Sequence, residues 1–329
     1  MRVGLQAALS APIVGMVGRR RRDQGLDRQV AAVLELQRML RYPELHSMDP
    51  VTARDYAENG LSPLDMPSVP MAELVDITVE GPGGPVPVRL YVPERAGPHW
   101  LVYMHGGGGV IGSIRASDPV ARVLAAQTSC TVASVGYRLG PEDPHPAAID
   151  DACAVWDAIV RRVPRGGKIA VGGDSFGGFL TAHVERHART GGNRRADLQV
   201  QIYPMVDLAM TSPSIDEHAE GYLLTRAMMR WFHGHYVGGA DPKAGSPHYW
   251  ADAALRGASP AIVVTAGFDP LVDEGDAHAR RLRDAGVLVR HRRHASLIHG
   301  FLSLAGVVRE ARRAVDEMCG DIVELLASA

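Results

Sequence analysis

The chain has 329 residues, a formal net charge of −2 and three cysteines. That length holds one large α/β domain or two modest ones, and the charge makes no case for nucleic acid as a partner. Cys130, Cys153 and Cys319 are odd in number and widely spaced. They suit neither a disulfide framework nor a metal-ligand cluster, so a reducing, cytoplasmic compartment is the expectation.

Val3 to Val17 is mostly apolar and is followed by Arg19-Arg20-Arg21-Arg22. A signal peptide carries its charge before the apolar run, not after it. The run is also short for a bilayer span. We expect an amphipathic segment, mobile or associated with a helical cap, with attachment to a membrane surface as the alternative. Asp27 to Leu40 places Val30, Val33, Leu34, Leu36 and Met39–Leu40 at helical spacing. Residues 42–70 are rich in proline and acidic groups, with a short helix expected at Ala53–Ala57. No strand signal occurs in this part.

From Ala72 the period changes to two. Val75–Val79 and Val86–Val92 flank a Gly-Pro-rich turn and predict a hairpin. Apolar runs follow at Trp100–Met104, Thr131–Val135, Ile169–Val171, Val200–Tyr203, Ile262–Ala266 and Val287–Val289. Helical segments are expected between them at about 116–128, 145–163, 177–190 and 274–285, and after 303. This alternation predicts a mainly parallel sheet with helices on both faces. The interval 207–249 holds no good strand. It reads as an insertion beyond the strand C-termini, where open α/β sheets bind ligands. Its Met and aromatic residues are expected mostly to pack.

Gly173-Asp174-Ser175-Phe176-Gly177 joins an apolar run to a helix start. Such a turn projects a serine hydroxyl away from the sheet, and the glycines make room for it. The helix that follows points its N-terminal N–H groups at the same place. Four consecutive glycines follow His105, again after an apolar run. Bare N–H groups there suit an oxyanion hole; a phosphate loop is the rival, but no G-x-x-x-x-G-K-[ST] pattern is present. His105 is expected to be a hydrogen-bonder that sets this loop.

A serine hydroxyl needs a base, and the base needs a carboxylate to hold its tautomer. Asp269 and His299 each follow an expected strand, on the rim that carries Ser175. The chain has 14 histidines, so position and not presence is the argument: His291 and His294 lie on or beside the last strand, His299 beyond it. Asp273 and Glu274 are rivals to Asp269, but they open the next helix.

In this order, His105-Gly106-Gly107-Gly108, Tyr137-Arg138-Leu139-Gly140-Pro141-Glu142, Gly173-Asp174-Ser175-Phe176-Gly177-Gly178, Tyr203-Pro204, Asp269-Pro270-Leu271 and His299-Gly300-Phe301 resemble the hormone-sensitive-lipase-like carboxylesterases of the α/β-hydrolase superfamily. The resemblance covers roughly residues 72–329. It implies the α/β-hydrolase fold: a mainly parallel eight-stranded sheet with helices on both faces and a helical cap. It implies a cap segment at 1–45, core at 46–206 and 250–329, and a cap insertion at 207–249. It implies Ser175 as nucleophile, Asp269 and His299 as its partners, and an oxyanion hole from the N–H groups of Gly107, Gly108 and Phe176. Gly109, Asp174, Met210, Trp231 and Phe232 are the expected substrate-binding residues. No metal or organic cofactor is implied; the partner is a small ester, and a homodimer is expected. Arg290, Arg292 and Arg293 either guard a free sheet edge or border a dimer contact.

Four positions depart from the family pattern. Phe176 stands where alanine is usual and is expected to add bulk beside the nucleophile. Gly109 stands where an aromatic residue is common, and Gly140 and Asp143 replace Ala and His. The expected activity is hydrolysis of short- to medium-chain esters. A lactone, carbamate or amide hydrolase would use the same residues, and a non-catalytic binder is the different-class alternative.

Overall fold

The computed structural model describes residues 24–60, 64–191 and 194–328. The apolar run Val3–Val17 and the arginines Arg19–Arg22 lie outside the described residues. Among the described residues two α-helices come first, α1 (Arg28–Leu40) and α2 (Pro50–Gly60). Asp27 caps α1, its carboxylate accepting from the N–H groups of Gln29 and Val30. The strands follow: β1 (Glu73–Gly81), β2 (Gly84–Val92), β3 (Trp100–Met104), β4 (Thr131–Val135), β5 (Ile169–Asp174), β6 (Leu198–Ile202), β7 (Ala261–Phe268) and β8 (Val289–Ile298). They form one sheet in the order β1-β2-β4-β3-β5-β6-β7-β8. β1 and β2 pair as the antiparallel hairpin, β2 runs antiparallel to β4, and every later pair is parallel.

Helices α3 (Asp118–Thr128), α4 (Ala147–Ile159), α5 (Phe176–Thr190), α9 (Val272–Asp284) and α10 (Arg309–Ser328) cover the sheet. Period-two alternation divides the core between its faces. Leu101 and Tyr103 of β3 pack with α3 and α10. Val102 and Met104 pack with α4 and α5. The insertion carries the short helix α6 (Ser214–Glu217), the longer α7 (Arg226–Tyr236) and α8 (Pro242–Gly245). No described helix is long and apolar enough to cross a membrane.

The last strand differs from expectation. The apolar run at Val287–Val289 only begins it; β8 runs on to Ile298 through Arg290, His291, Arg292, Arg293 and His294. Those charges conceal a strand because their partners sit on neighbouring helices. Arg290 and Arg292 both pair with Asp321 of α10, which is nearly buried. Arg293 pairs with Asp276 of α9 at 2.7 Å. The arginines of this edge strand are thus tied to the helices that cover the sheet.

One buried group links the fold to pH. Both ring nitrogens of His278, on α9, are buried with no hydrogen-bond partner among the described residues. Burial pulls this imidazole from 6.5 down to about 3. The folded pKa is depressed, so the unfolded chain takes up the extra proton. Stability from this site is complete above about pH 6.5 and is lost as pH falls toward 3. His278→Leu should abolish that loss. Between about pH 7.5 and 4.5, the variant's unfolding free energy relative to wild type should rise by roughly 2–3 kcal/mol, read from urea titrations; a pH-independent difference would contradict it.

Candidate active site

The turn between β5 and α5 is fixed from three sides. Ser175 sits at φ 54°, ψ −113°, a conformation that a side chain makes costly. Its N–H donates to Ile202 O at 2.8 Å, and its carbonyl accepts from Met205 N at 3.0 Å, so the end of β6 holds both flanks. The third side is β3. A Cβ on Gly173 would lie 2.4 Å from Met104 O, and one on Gly177 only 2.0 Å from the same oxygen. Close backbone approach, more than loop freedom, is what the glycines supply.

Asp269 follows β7 and is almost fully buried. Its Oδ1 accepts the N–H of Leu271 at 2.8 Å, and its Oδ2 lies 2.8 Å from His299 Nδ1. His299 immediately follows β8, and its Nε2 lies 3.0 Å from Ser175 Oγ. The three expected residues therefore form one hydrogen-bonded line. The rivals go elsewhere. Asp273 accepts the N–H of Ser214 at 2.9 Å. Glu274 Oε1 accepts from Val206 N and Asp207 N at 2.7 and 3.0 Å, and burial holds its carboxyl well above the usual range. His291 faces Asp276 at 3.0 Å, and His294 packs against Phe301.

Gly107, Gly108 and Gly109 follow β3 with φ of 123°, 61° and 73°, a left-handed run that glycine alone adopts cheaply. The N–H groups of Gly107 and Gly108 donate to no backbone carbonyl among the described residues. His105 is buried; its Nδ1 lies 2.7 Å from Gly106 O, and Tyr137 donates to its carbonyl at 2.7 Å. Burial pulls its imidazole down to about 4, which keeps it neutral and fits a loop-setting group.

These residues open into a cavity of about 700 Å³. Ser175, His299, Gly107 and Gly108 lie at its base, and Val33, Leu34, Leu45, Leu224, Met228 and Phe232 are among its apolar walls. Of the expected substrate contacts, Asp174, Met210 and Phe232 border it. Asp174 has its oxygens engaged, taking the hydroxyls of Tyr103 at 2.6 Å and Tyr203 at 3.3 Å. Burial raises its carboxyl pKa.

Gly109 and Trp231 do not line the cavity, contrary to expectation. Trp231 turns away, its ring 4.7 Å from that of His235. Gly109 is covered by two rings: a Cβ there would lie 2.6 Å from Tyr236 and 2.9 Å from Phe176. Phe176 is likewise no obstruction beside Ser175. It is fully buried, its ring among Tyr137, Phe179 and Tyr236 at 5.8, 5.4 and 4.6 Å. The missing side chain at Gly109 provides the space that the Phe176 ring uses.

The sequence did not point to Arg54. From α2, its Nε donates to Val110 O at 2.8 Å and its Nη2 to Gly140 O at 2.8 Å. It also pairs with Glu142, whose carboxyl it holds down at about 2. One cation thus ties the first helices to the carbonyl just past the glycine loop.

The sequence pattern of a family described as an alpha/beta hydrolase fold matches residues 101–303. The chain is 38% identical over 244 residues to the carboxylic ester hydrolase LipN of Mycobacterium tuberculosis, covering 70% of this chain and 65% of that relative. It is 35% identical over 257 residues to an ethyl acetate hydrolase of Pseudomonas putida, covering 74% and 79%. An alpha/beta hydrolase enzyme from the metagenome of Lake Arreo, Spain, superposes with a TM-score of 0.87 at 33% identity, over 92% of this chain and 99% of that one.

Proposed function

The chain belongs to the α/β-hydrolase family, in its hormone-sensitive-lipase-like branch, and we propose that it hydrolyses carboxylic esters through an acyl-enzyme on Ser175. The observation that carries this is the line Asp269–His299–Ser175, with contacts of 2.8 and 3.0 Å, at the base of an apolar cavity. The hydrogen bond from Leu271 N fixes Asp269 Oδ1 and leaves Oδ2 to accept the hydrogen bond of the His299 Nδ1–H group. His299 Nε2 is then the free lone pair that faces the serine hydroxyl.

In the reaction, Ser175 Oγ attacks the ester carbonyl carbon while its proton passes to His299 Nε2. Asp269 stabilises the imidazolium so formed. The carbonyl oxygen takes the negative charge and is held by the N–H groups of Gly107, Gly108 and Phe176. The Phe176 N–H opens α5, so the positive end of that helix faces the same oxygen. His299 gives its proton to the departing alcohol. Water then attacks the acyl carbon and loses a proton to His299, which passes it to Ser175 Oγ as the acyl–oxygen bond breaks and the acid leaves.

Short- to medium-chain acyl groups are the substrates we assign, supported by the cavity size and by the relative named as an ethyl acetate hydrolase. Helices α1 and α7 contribute walls to the cavity and act as the cap that limits substrate size. The test is hydrolysis of chromogenic acyl esters of increasing chain length, with Ser175→Ala in parallel. Turnover that peaks at short to medium length and collapses in the variant is the expected result. Turnover that survives in Ser175→Ala would place the nucleophile elsewhere.

A further inference from the structure

Helix α7 is seated on a glycine loop that puts no side chains of its own between them. At its centre, Phe232 presses on Gly108: a Cβ there would lie 2.3 Å from Phe232 Cγ and 2.7 Å from its Cβ. One turn later, Tyr236 covers Gly109 and meets the Phe176 ring edge-on at 4.6 Å. At its end the backbone docks on Gly140, where a Cβ would lie 2.5 Å from His235 O. Hydrogen bonds complete this joint. Gly140 N donates to Gly109 O at 2.8 Å, and His145 N donates to Tyr236 O at 2.7 Å. Tyr236 is 1% exposed.

A helix held this way is a fixed wall. The cavity cannot deepen on the side of Gly108 without removing Phe232 or lifting α7. It runs instead past Gln37 toward Leu40 and Tyr42, which are 57% and 46% exposed, so that end opens to solvent. The two directions from Ser175 are thus unequal, one closed by an aromatic ring and one open.

We propose that Phe232 is the specificity-determining wall of a short subsite beside Gly108, held in place by the Gly109–Gly140–Tyr236–Phe176 joint. The preferred esters then carry one small and one large substituent, the small one against Phe232 and the large one toward α1. This rests on the ester-hydrolase reading above.

The experiment uses two ester series on the full chain, one varying the acyl group at fixed alcohol and one varying the alcohol at fixed acyl group. In wild type, kcat/KM should fall steeply with length in one series and shallowly in the other. Phe232→Ala should raise the long-to-short ratio of kcat/KM in the steep series by roughly tenfold or more, the scale of a few methylenes in an apolar pocket. Gly140→Ala lies outside the cavity lining and lifts α7 through the His235 carbonyl. It should move the same ratio in the same direction, and it serves as the second reading should Phe232→Ala fold poorly. Ratios unchanged in both variants overturn the inference. Equal gains in both series also overturn it, because they describe a general lid and not a one-sided wall. A wild type that hydrolyses no member of either series removes the ester reading and this inference with it.

Discussion

Asp269→Asn is expected to lower kcat on a short-chain ester by about 10⁴-fold, the scale found when a triad carboxylate is made an amide. The local geometry says why the amide cannot adapt. Leu271 N–H donates to Oδ1, so the amide oxygen stays there and the NH₂ group turns to His299 Nδ1. That nitrogen must then accept, and the proton moves to Nε2, where it faces Ser175 Oγ at 3.0 Å. The base has lost its lone pair while every contact distance is kept. Melting temperature should change little. Asp269→Ala, which imposes no tautomer, should lose less of kcat than the amide does. An Asn variant within tenfold of wild type would show that another carboxylate serves His299.

Gly177→Ala is expected to cost roughly 3 kcal/mol of stability or more, at or above the upper end of what overpacking a core usually costs. Its Cβ would lie 2.0 Å from Met104 O, 2.7 Å from Met104 C and 2.9 Å from His105 O. All three are backbone atoms, and no rotamer change can relieve them. The strain falls on the end of β3, just where the glycine loop begins, so kcat should fall with stability. Gly320→Ala is the control. It lies within α10 with nothing within 4 Å of its added Cβ, and it should stabilise the chain by about 0.5–1 kcal/mol. Urea midpoints read both, and equal midpoints for the two variants would contradict the argument.

What the sequence disclosed follows from where its signals are local. The parallel strands are short apolar runs because both faces of the sheet are covered, and helix α1 shows its spacing because one face is buried. The line Asp269–His299–Ser175 was legible because each member follows a strand that periodicity reveals. β8 was only begun, because its arginines find their partners on α9 and α10, far along the chain. Trp231 and Phe232 are neighbours about 100° apart on one helix, and no local pattern says which of them faces the cavity. Arg54 and Tyr236 act on loops far from them in sequence, so their roles emerge only when the chain is folded. The departures at Gly109, Phe176 and Gly140 were visible as oddities; their common cause, the seat of α7, was not.

Arg54 gives the first helices a second task. It reaches Val110 O and Gly140 O at once, so helix α2 is bolted to the frame of the glycine loop. A chimera that imports this segment from a relative would change the anchorage of the glycine loop along with the entrance. Selectivity and turnover are therefore inherited together, and the N-terminal helices are not an interchangeable cassette.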